Sequence, residues 1–425
     1  MSAPRRELAD WLAYLERLHP TAIDLGLERL ARVRGRMGLE LPFPLITVGG
    51  TNGKGSTCAM LEATLLRAGY RVGCYTSPHL LRYNERVRVG GDEVSDTQLI
   101  EAFERVEEAR AGISLTYFEF GTLAAAWLFQ HARLDAAVLE VGLGGRLDAV
   151  NLFDTNCAVI TSIGLDHVEY LGDTREEIAY EKAGIFRRGR PAVIAEPEMP
   201  APMGEHAARI GAQLHLIERD FGYVRQDGHW RYWSWRARRD GLPFPALRGE
   251  YQLRNASAAL AALDCLERRL PVDMGAIRRA LVEVELPGRF QVLPGRPVAV
   301  LDVAHNPQAA QCLSETLARM GGFKRTWGVF SMLKDKDIAG VARLVAPHVT
   351  HWLVASLRSP RAASPDVLQS ALRDAGVSAR IEICASPAQA FVSARARADA
   401  DDRILVFGSF YTVADVLASS STPPT

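Results

Sequence analysis

The residues with the clearest chemical potential lie in the stretch TVGGTNGKGST, residues 47–57. Its glycines let backbone N–H groups approach phosphate oxygens, and the helix predicted directly behind them adds a positive dipole end. Lys54 supplies charge for β- and γ-phosphates, while Ser56 and Thr57 supply hydroxyls for a metal ion or a phosphate. The stretch departs from the usual phosphate-loop pattern, because Gly55 separates the lysine from Ser56. We expect phosphate binding; the alternative is a merely tight strand-to-helix turn.

Polar residues also follow two apolar stretches further along the chain. Glu140 follows AAVL, and Asp166 and His167 follow NCAVITSIG. Open α/β sheets bind ligands at the carboxyl ends of their strands, so these side chains are candidates for a magnesium site or a phosphate contact. The alternatives are an ion pair between Glu140 and Arg146 and a purely structural histidine.

A third candidate is Lys182, within EKAGIF. The preceding stretch DTREEIAYEKAGIF has a capping Asp or Thr and acidic residues in its first turn, which predicts a helix. Spacing alone favours a solvated helix lysine.

The framework that would position these residues is an α/β fold. Strand and helix patterns alternate from residue 45, which predicts a doubly wound domain with a mostly parallel sheet. Residues 221–247 break the rhythm and predict a β-hairpin around Asp227-Gly228, with tryptophans that cover a sheet face. The Pro- and Gly-rich residues 285–297 mark a boundary, and a second, smaller α/β domain follows. We therefore expect domains 1–288 and 297–425, joined by a linker, 289–296.

Composition excludes several classes of protein. The 425 residues contain 50 Lys plus Arg and 50 Asp plus Glu, so no overall charge favours nucleic acid or a membrane surface. The six cysteines have no metal-binding spacing, which is typical of reduced thiols in a cytosolic protein. The N-terminus is charged and unlike a signal peptide, and no apolar run approaches the roughly 20 residues of a membrane span. We expect a cytoplasmic protein.

Longer motifs occur along the chain in this order: GTNGKGST, YTSPHLLRYNERVRV, YFEFGTLAAAWLF, LEVGLGGRLDAVN, SIGLDHVEYLG, EKAGIFR, LPGRF, DVAHNP and FGSFYTV. Together they resemble the motifs of a known family, the bacterial bifunctional dihydrofolate synthase/folylpolyglutamate synthases of the Mur ligase superfamily, and the similarity extends throughout the chain. In that family the glycine after the lysine is normal.

The resemblance implies a fold and roles for matching residues. The fold is an N-terminal phosphate-loop domain followed by a Rossmann-like C-terminal domain. The implied ATP-binding residues are Asn52, Gly53, Lys54, Gly55, Ser56, Asn255, Arg289 and Asp302. The implied ligands for two Mg²⁺ ions are Ser77, Glu140, His167 and a carbamylated Lys182. The implied dihydropteroate contacts are Thr21, Ile23, Asp24, Phe118, Glu119, Phe120, Gly121, Leu147, Asp148 and Ala149. His305 and Ser409 match positions for glutamate handling, and the implied catalytic residues are these two with Lys54, His167 and Lys182.

The implied activity is ATP-dependent ligation of L-glutamate to dihydropteroate and to folates, through an acyl phosphate, in a site between the two domains. Family members are usually monomers. Three alternatives stay open: a synthase that only extends polyglutamate, a cell-wall Mur ligase, and a nucleotide-dependent switch without ligase chemistry. The pterin-type segments argue against the cell-wall enzyme, and DVAHNP and FGSF in the second domain argue against the switch.

Overall fold

A computed structural model describes residues 6–420 of the chain. Residues 1–5 and 421–425 of the two predicted domains lie outside the described part. The described residues form two compact units. The first comprises 6–246 and 253–284, and the second comprises 247–252 and 285–420.

The first unit is built on an eight-stranded sheet. In space the strands follow the order β4-β3-β2-β5-β1-β6-β7-β8, and all pairs are parallel except β2–β3 and β3–β4. The strands are β1 (Leu45–Gly49), β2 (Val72–Tyr75), β3 (Val87–Val89), β4 (Asp92–Glu93), β5 (Ala136–Glu140), β6 (Cys157–Ile160), β7 (Pro191–Ile194) and β8 (Gln213–Leu216). The prediction of a doubly wound, mostly parallel sheet is confirmed.

Ten α-helices accompany these strands between residues 6 and 284. They are α1 (Leu8–Leu18), α2 (Glu28–Met37), α3 (Lys54–Arg67), α4 (Asp96–Arg110), α5 (Tyr117–His131), α6 (Val168–Leu171), α7 (Arg175–Ala183), α8 (Ala201–Ile210), α9 (Tyr251–Leu266) and α10 (Met274–Glu283). Short 3-10 helices lie at Tyr83–Arg86 and Ala149–Leu152.

Burial and capping explain these elements. All residues of β1 and β5 are buried, as expected for central parallel strands covered on both faces. Helices α4, α5 and α7 each begin with a capping box, in which Ser95, Thr116 or Thr174 accepts a backbone N–H three residues later. The predicted helix that carries Lys182 is thus confirmed as α7.

An antiparallel sheet, with strand order β11-β10-β9, interrupts the α/β pattern where the hairpin was predicted. Its strands are β9 (Phe221–Arg225), β10 (Trp230–Ser234) and β11 (Arg238–Leu242). Gly228 adopts φ 73° in the turn between β9 and β10. Trp230 is fully buried, and its indole N–H donates to the Pro243 carbonyl, so this tryptophan is a packing residue.

The second unit has a six-stranded sheet in the order β12-β13-β17-β14-β15-β16, parallel except for β12–β13. Its strands are β12 (Gln291–Leu293), β13 (Val298–Asp302), β14 (Thr326–Phe330), β15 (His351–Ala355), β16 (Ile381–Cys384) and β17 (Arg403–Phe407). Its helices are α11 (Pro307–Arg319), α12 (Ile338–Val345), α13 (Pro365–Asp374), α14 (Pro387–Arg397), α15 (Phe410–Ser420) and a 3-10 turn, Ala346–His348. Residues 289–296, expected as a linker, include β12, whose pairing with β13 makes this stretch part of the sheet.

None of the helices within residues 6–420 has the length and apolar character needed to cross a lipid bilayer.

Candidate active site

The glycine-rich loop joins β1 to α3 and requires glycine at two positions. Gly50 has φ 144° and Gly53 has φ 88°, conformations that L side chains rarely adopt. A Cβ atom on Gly50 would overlap the Thr161 hydroxyl, and one on Gly53 would lie 2.5 Å from Asn255 Oδ1. Asn255, predicted only by resemblance to touch ATP, therefore lies directly against the loop.

The segment after β6 holds the loop in place. The Asn52 N–H donates to Ser162 Oγ (2.9 Å), and the Thr161 hydroxyl donates to the Asn52 carbonyl (2.6 Å). The Thr51 N–H donates to the Ser162 carbonyl (2.8 Å). Thr161 and Ser162 are not among the site residues predicted from the sequence. The sequence does contain a pattern that could identify them, because both are hydroxyl residues that directly follow a buried parallel strand.

Lys54 is the first residue of α3, and its ammonium group faces the loop. Lys54 Nζ donates to the carbonyls of Gly50 (3.0 Å) and Thr51 (3.3 Å). Over residues 6–420, no carboxylate forms an ion pair with it. One turn further, the Thr57 hydroxyl is fully buried and has no hydrogen-bond partner in the described chain. A lysine whose hydrogen bonds go only to backbone carbonyls and an unsatisfied hydroxyl at a helix N-terminus are suited to an anionic ligand.

Two predicted metal ligands, Ser77 and Glu140, lie side by side. Ser77 follows β2 and Glu140 ends β5; these strands are paired neighbours, and the Ser77 N–H donates to Glu140 Oε2 (3.1 Å). Glu140 is the last residue of β5 and is buried. Arg146, the alternative partner of Glu140, instead forms an ion pair with Glu181 (2.8 Å).

His167 follows β6 and has an unusual backbone conformation. Its φ of 52° places a non-glycine residue in the left-handed region, a strain that recurs at functional sites. Its backbone N–H donates to Asp166 Oδ1 (2.9 Å). Strands β5 and β6 flank β1 on its two sides, so Glu140, His167 and the loop all follow adjacent strands.

The donor types suit a hard cation such as Mg²⁺, because a carboxylate and hydroxyls supply oxygen ligands. No group of three His, Cys, Asp or Glu side chains within residues 6–420 forms a ready metal cluster. The predicted ligand set contains two residues of these types, Glu140 and His167; its other members are the Ser77 hydroxyl and a carbamylated Lys182.

Lys182 is buried near the end of α7, with 4% of its surface exposed. The interpretation as a solvated helix lysine is therefore wrong. Burial, and then the charge of Lys54, lower the pKa of Lys182 to about 7, while Asp166 and Asp148 act in the opposite direction. These charges act on one another only because the loops after β1, β5 and β6 converge.

Asp148 lies in the same charged group. Its carboxylate accepts the backbone N–H groups of Leu143 (2.8 Å) and Val150 (3.0 Å). Burial raises the pKa of Asp148 to about 7, while those hydrogen bonds and Lys54 lower it. Asp148 thereby shapes the loop that carries half-buried Leu147 and buried Ala149, its partners in the predicted substrate stretch.

The N-terminal segment predicted to bind the pterin is tied to α5 through Arg29. Arg29 pairs with Asp24, and its Nε and Nη2 contact the Glu119 carboxylate at 3.0 and 2.9 Å. Glu119 also accepts the Thr116 N–H (2.8 Å) as part of the capping box of α5. Arg29, which the sequence analysis passed over, is the residue that joins two predicted substrate stretches. Exposed Thr21 contacts His19 instead, and Ile23 is half-buried.

The remaining predicted contacts on α5 differ in exposure. The half-buried Phe118 ring stacks against Tyr75, with centroids 5.8 Å apart. Phe120 is fully buried and packs against Trp11 and Phe103, so its ring belongs to the hydrophobic core. Gly121, one residue further, is also buried.

In the second unit, the candidates gather behind β13 and β17, which pair with Asp302 opposite Phe407. Asp302 is buried and accepts the backbone N–H groups of Phe290 and Ala304, each at 2.8 Å. Burial raises the pKa of its carboxyl group above the ordinary value. The Asp302 carboxylate therefore fixes the backbone on both sides of the strand end.

The aromatic ring of Phe410 lies close to two candidate residues of this unit, Arg289 and His305. The Arg289 guanidinium lies 4.8 Å from the centre of the Phe410 ring, and the His305 ring lies 6.1 Å from it. Ser409, buried beside Phe410, accepts the Tyr411 N–H (3.2 Å) at the start of α15. Arg289, Asp302, His305 and Ser409 thus lie at one edge of the second sheet.

Two family models match the chain. The model described as "Mur ligase middle domain" matches residues 48–263, and the model described as "Mur ligase, glutamate ligase domain" matches residues 288–410.

Curated proteins and solved structures agree with these matches. The dihydrofolate synthase/folylpolyglutamate synthase of Escherichia coli is 46% identical over 411 residues, which cover 96% of this chain and 94% of that protein. A structure of E. coli FolC in complex with DHPP and ADP superposes with a TM-score of 0.92 at 45% identity and covers 98% of both chains. A bifunctional folylpolyglutamate synthase/dihydrofolate synthase with Mn, AMPPNP and L-glutamate bound has a TM-score of 0.91 at 46% identity, again over 98% of both chains.

Proposed function

The chain belongs to the dihydrofolate synthase/folylpolyglutamate synthase family of Mur ligases, and from this premise we propose that it is an ATP-dependent folate glutamate ligase. It joins L-glutamate to dihydropteroate and to tetrahydrofolyl-(poly)glutamates. The observation that carries the proposal is the phosphate loop, in which Lys54 donates only to backbone carbonyls, together with the buried Lys182 near it. Relatives crystallised with DHPP, nucleotides and L-glutamate support the same substrates.

The chemistry has to overcome a poor leaving group, since a free carboxylate does not acylate an amine. The substrate carboxylate attacks the γ-phosphorus of ATP, ADP leaves, and an acyl phosphate forms. The α-amine of L-glutamate then attacks the acyl carbon, the C–O bond to phosphate breaks, and an amide and inorganic phosphate result. Both steps concentrate negative charge on phosphoryl oxygens, which preorganised cations and N–H donors stabilise.

In this proposal the loop and Lys54 hold the β- and γ-phosphates. Gly53, Gly55 and the N-terminus of α3 direct N–H groups at the phosphates, and Asn52 and Ser56 complete the cradle. Asn255 contacts the nucleotide from beside Gly53. When ATP binds, Lys54 Nζ donates to phosphate oxygens instead of to the Gly50 and Thr51 carbonyls. The negative charge of the phosphates then balances the positive charge of the lysine.

The metal ligands of the proposal are Ser77, Glu140 and His167, which lie at the carboxyl ends of β2, β5 and β6. When bound there, Mg²⁺ neutralises phosphate charge and polarises the transferred phosphoryl group. The hydrogen bond from Ser77 to Glu140 orients one carboxylate oxygen at the end of β5.

Lys182 completes the ligand set in carbamylated form. A neutral amine attacks carbon dioxide, a proton leaves, and the lysine becomes an anionic carbamate. Burial favours the neutral amine at physiological pH, because it lowers the pKa of Lys182 to about 7. The carbamate also removes the repulsion between Lys182 and Lys54.

The pterin-containing substrate occupies the surface formed by Thr21, Ile23, Asp24, Phe118 and the segment from Leu147 to Ala149. Phe118 supplies an aromatic face, and Asp24 supplies a carboxylate for ring N–H groups. Glu119 acts through Arg29, which ties the two stretches together. Phe120 and Gly121 support the helix that presents Phe118.

In the second unit, Arg289 contacts ATP, and Asp302 contributes to ATP binding only through the backbone that it holds in place. His305 and Ser409 bind L-glutamate. Arg289 is held over the Phe410 ring, which restricts a long side chain to one region. Asp302 holds the backbone that carries its neighbours.

The test is substrate-dependent ATP turnover with magnesium and L-glutamate. We expect ADP to form when either dihydropteroate or tetrahydrofolate is added, with one amide for each ADP. ADP formation with tetrahydrofolate but not with dihydropteroate supports the monofunctional folylpolyglutamate synthase. Nucleotide binding without any folate-dependent turnover supports the binding module and contradicts the proposal.

A further inference from the structure

Arg86 is a buried arginine to which the proposed ligase chemistry gives no role. It ends the 3-10 helix Tyr83–Arg86, and only 9% of its surface is exposed. Among residues 6–420, its side chain makes one hydrogen bond, from Nε to His79 Nδ1 (2.8 Å), and no ion pair with a carboxylate. A buried charge is costly unless an opposite charge balances it, so this guanidinium is suited to an anionic ligand.

Two other largely buried arginines show how a guanidinium is satisfied in this chain. In α4, Nε and Nη2 of Arg110 donate to the two carboxylate oxygens of Glu107 at 2.8 and 2.6 Å. Arg403 has no carboxylate partner, but its Nε, Nη1 and Nη2 donate to the Thr326 hydroxyl and to two backbone carbonyls. Arg86 differs from both, because neither of its Nη groups has a hydrogen-bond acceptor in the described part of the chain.

Aromatic rings hold the Arg86 guanidinium in place. Its central carbon lies 5.3 Å from the centre of the Tyr83 ring and 5.5 Å from the centre of the Tyr117 ring. Tyr83 is itself buried against α5, where a Cβ atom on Gly121 would overlap the tyrosine hydroxyl. These contacts restrict a long side chain before any ligand arrives, which lowers the entropic cost of binding.

The hydrogen bond to Arg86 also determines where the His79 ring carries its proton. An arginine Nε always carries a proton, so His79 Nδ1 accepts and the imidazole proton lies on Nε2. This Nε2–H has no acceptor among the described residues, and His79 is half-buried rather than enclosed. Arg86 and His79 therefore present unused N–H donors side by side, a set that matches a carboxylate.

This pair of residues adjoins two parts of the candidate active site. The Arg86 carbonyl accepts the backbone N–H of Thr76 (2.9 Å), which directly precedes the proposed metal ligand Ser77. Tyr117, whose ring Arg86 contacts, directly precedes Phe118, the proposed aromatic contact of the substrate. An anion bound by Arg86 would therefore lie beside the bound substrate.

We propose that Arg86, oriented by His79, binds the non-reacting carboxylate of the glutamyl residue in folate substrates, a role that rests on the ligase function proposed above. Dihydropteroate has a single carboxylate, and that group reacts with ATP. A folate that already carries glutamate has a further carboxylate, which must be held without being activated. Arginine suits this group, because a carboxylate that accepts charge-assisted hydrogen bonds is a weaker nucleophile.

The test compares the binding of tetrahydropteroate and tetrahydrofolate, which differ only in the glutamyl residue, by calorimetry with ADP and magnesium. Wild-type protein should bind tetrahydrofolate about 30-fold more tightly. Arg86→Gln should abolish this preference and change the affinity for tetrahydropteroate by less than about twofold.

Three results overturn the proposal: no preference in the wild-type protein, a preference retained in Arg86→Gln, or an equal loss of affinity for both ligands. The equal loss would indicate that Arg86 serves a group common to both ligands. Dihydropteroate-dependent ATP turnover, measured on the same wild-type preparation, tests the ligase function separately from the role of Arg86.

Variants of other residues separate orientation of the guanidinium from stability of the fold. His79→Ala removes the acceptor of the Arg86 Nε–H and should reduce the preference about fivefold, whereas His79→Gln, whose side-chain oxygen accepts that N–H, should retain most of it. Arg110→Gln is the matched control, because it breaks the pair with Glu107 and should lower the urea midpoint without changing the preference. A preference that His79→Ala leaves intact, or that Arg110→Gln also abolishes, contradicts the assigned roles.

Discussion

The two sheets place their candidate residues at equivalent positions, behind parallel strands, but they differ in what those residues already bind. Behind β1, Lys54 has only backbone carbonyls as partners, and the Thr57 hydroxyl has none among the described residues. Behind β13, both oxygens of Asp302 are taken by backbone N–H groups. The first edge gains interactions when an anion binds, whereas Asp302 at the second edge is already satisfied. Substitutions in the loop behind β1 should therefore lower activity, and substitutions of Asp302 should lower stability.

The largest effect is expected for Lys54→Ala. Loss of the cation at the γ-phosphate should lower the rate of folate- and glutamate-dependent ADP formation by about 10³-fold, with the unfolding midpoint little changed. Lys324→Ala, which removes a lysine that is 71% exposed, is the control and should keep normal turnover. Normal turnover in Lys54→Ala would remove this lysine from the mechanism.

Lys182→Ala should follow, with turnover reduced by about 10²-fold, because an anionic ligand is lost from a buried position. Short carboxylic acids such as acetate should restore part of the activity by supplying the missing carboxylate. Lys182→Arg, which cannot be carbamylated, should not respond to acetate. Full activity of the alanine variant without acetate contradicts the proposed carbamate.

A smaller effect is expected for Gly53→Ala, which places a Cβ 2.5 Å from Asn255 Oδ1 and strains the φ of 88°. We expect ATP affinity, measured by calorimetry, to fall by about tenfold as the loop shifts. Gly35→Ala in α2 is the matched control, since no atom lies within 4 Å of its Cβ position. Equal affinities in the two variants would show that the loop tolerates the shift.

The smallest effect on turnover is expected for Asp302→Asn. The amide oxygen can replace one acceptor, but its NH₂ group faces a second backbone N–H, so the free energy of unfolding should fall by about 1–3 kcal/mol. Urea denaturation measures this change. Asp374→Asn, at an exposed position in α13, should leave the midpoint unchanged. A large loss of turnover with unchanged stability would break the contrast between the two sheet edges.

The sequence alone predicted the first edge better than the second, for a physical reason. Glycines, a lysine and a helix start within a few residues describe a phosphate loop by local chemistry. Glu140 and His167 could likewise be placed by the rule that parallel strands end at one edge. Asp302 and His305 follow an apolar strand too, but no local pattern distinguishes their roles, so only resemblance to a family did.

Long-range contacts explain what could not be predicted. Arg29 contacts both Asp24 and Glu119, and Glu119 lies 90 positions further along the chain. In the sequence Arg29 looks like any charged residue on a helix, so nothing near it predicts these contacts. Lys182 is buried where the loops after three strands converge. The spacing of residues within α7 does not contain this information, and it predicted a solvent-exposed lysine instead.

In the proposed mechanism, the γ-phosphate of ATP is transferred to the substrate carboxylate. Dihydropteroate labelled with ¹⁸O in its carboxylate tests this directly when it is incubated with ATP, magnesium, L-glutamate and the protein. We expect one ¹⁸O atom in the inorganic phosphate for each amide formed, because the acyl C–O bond breaks in the second step. Amide formation with unlabelled phosphate would contradict the acyl-phosphate mechanism.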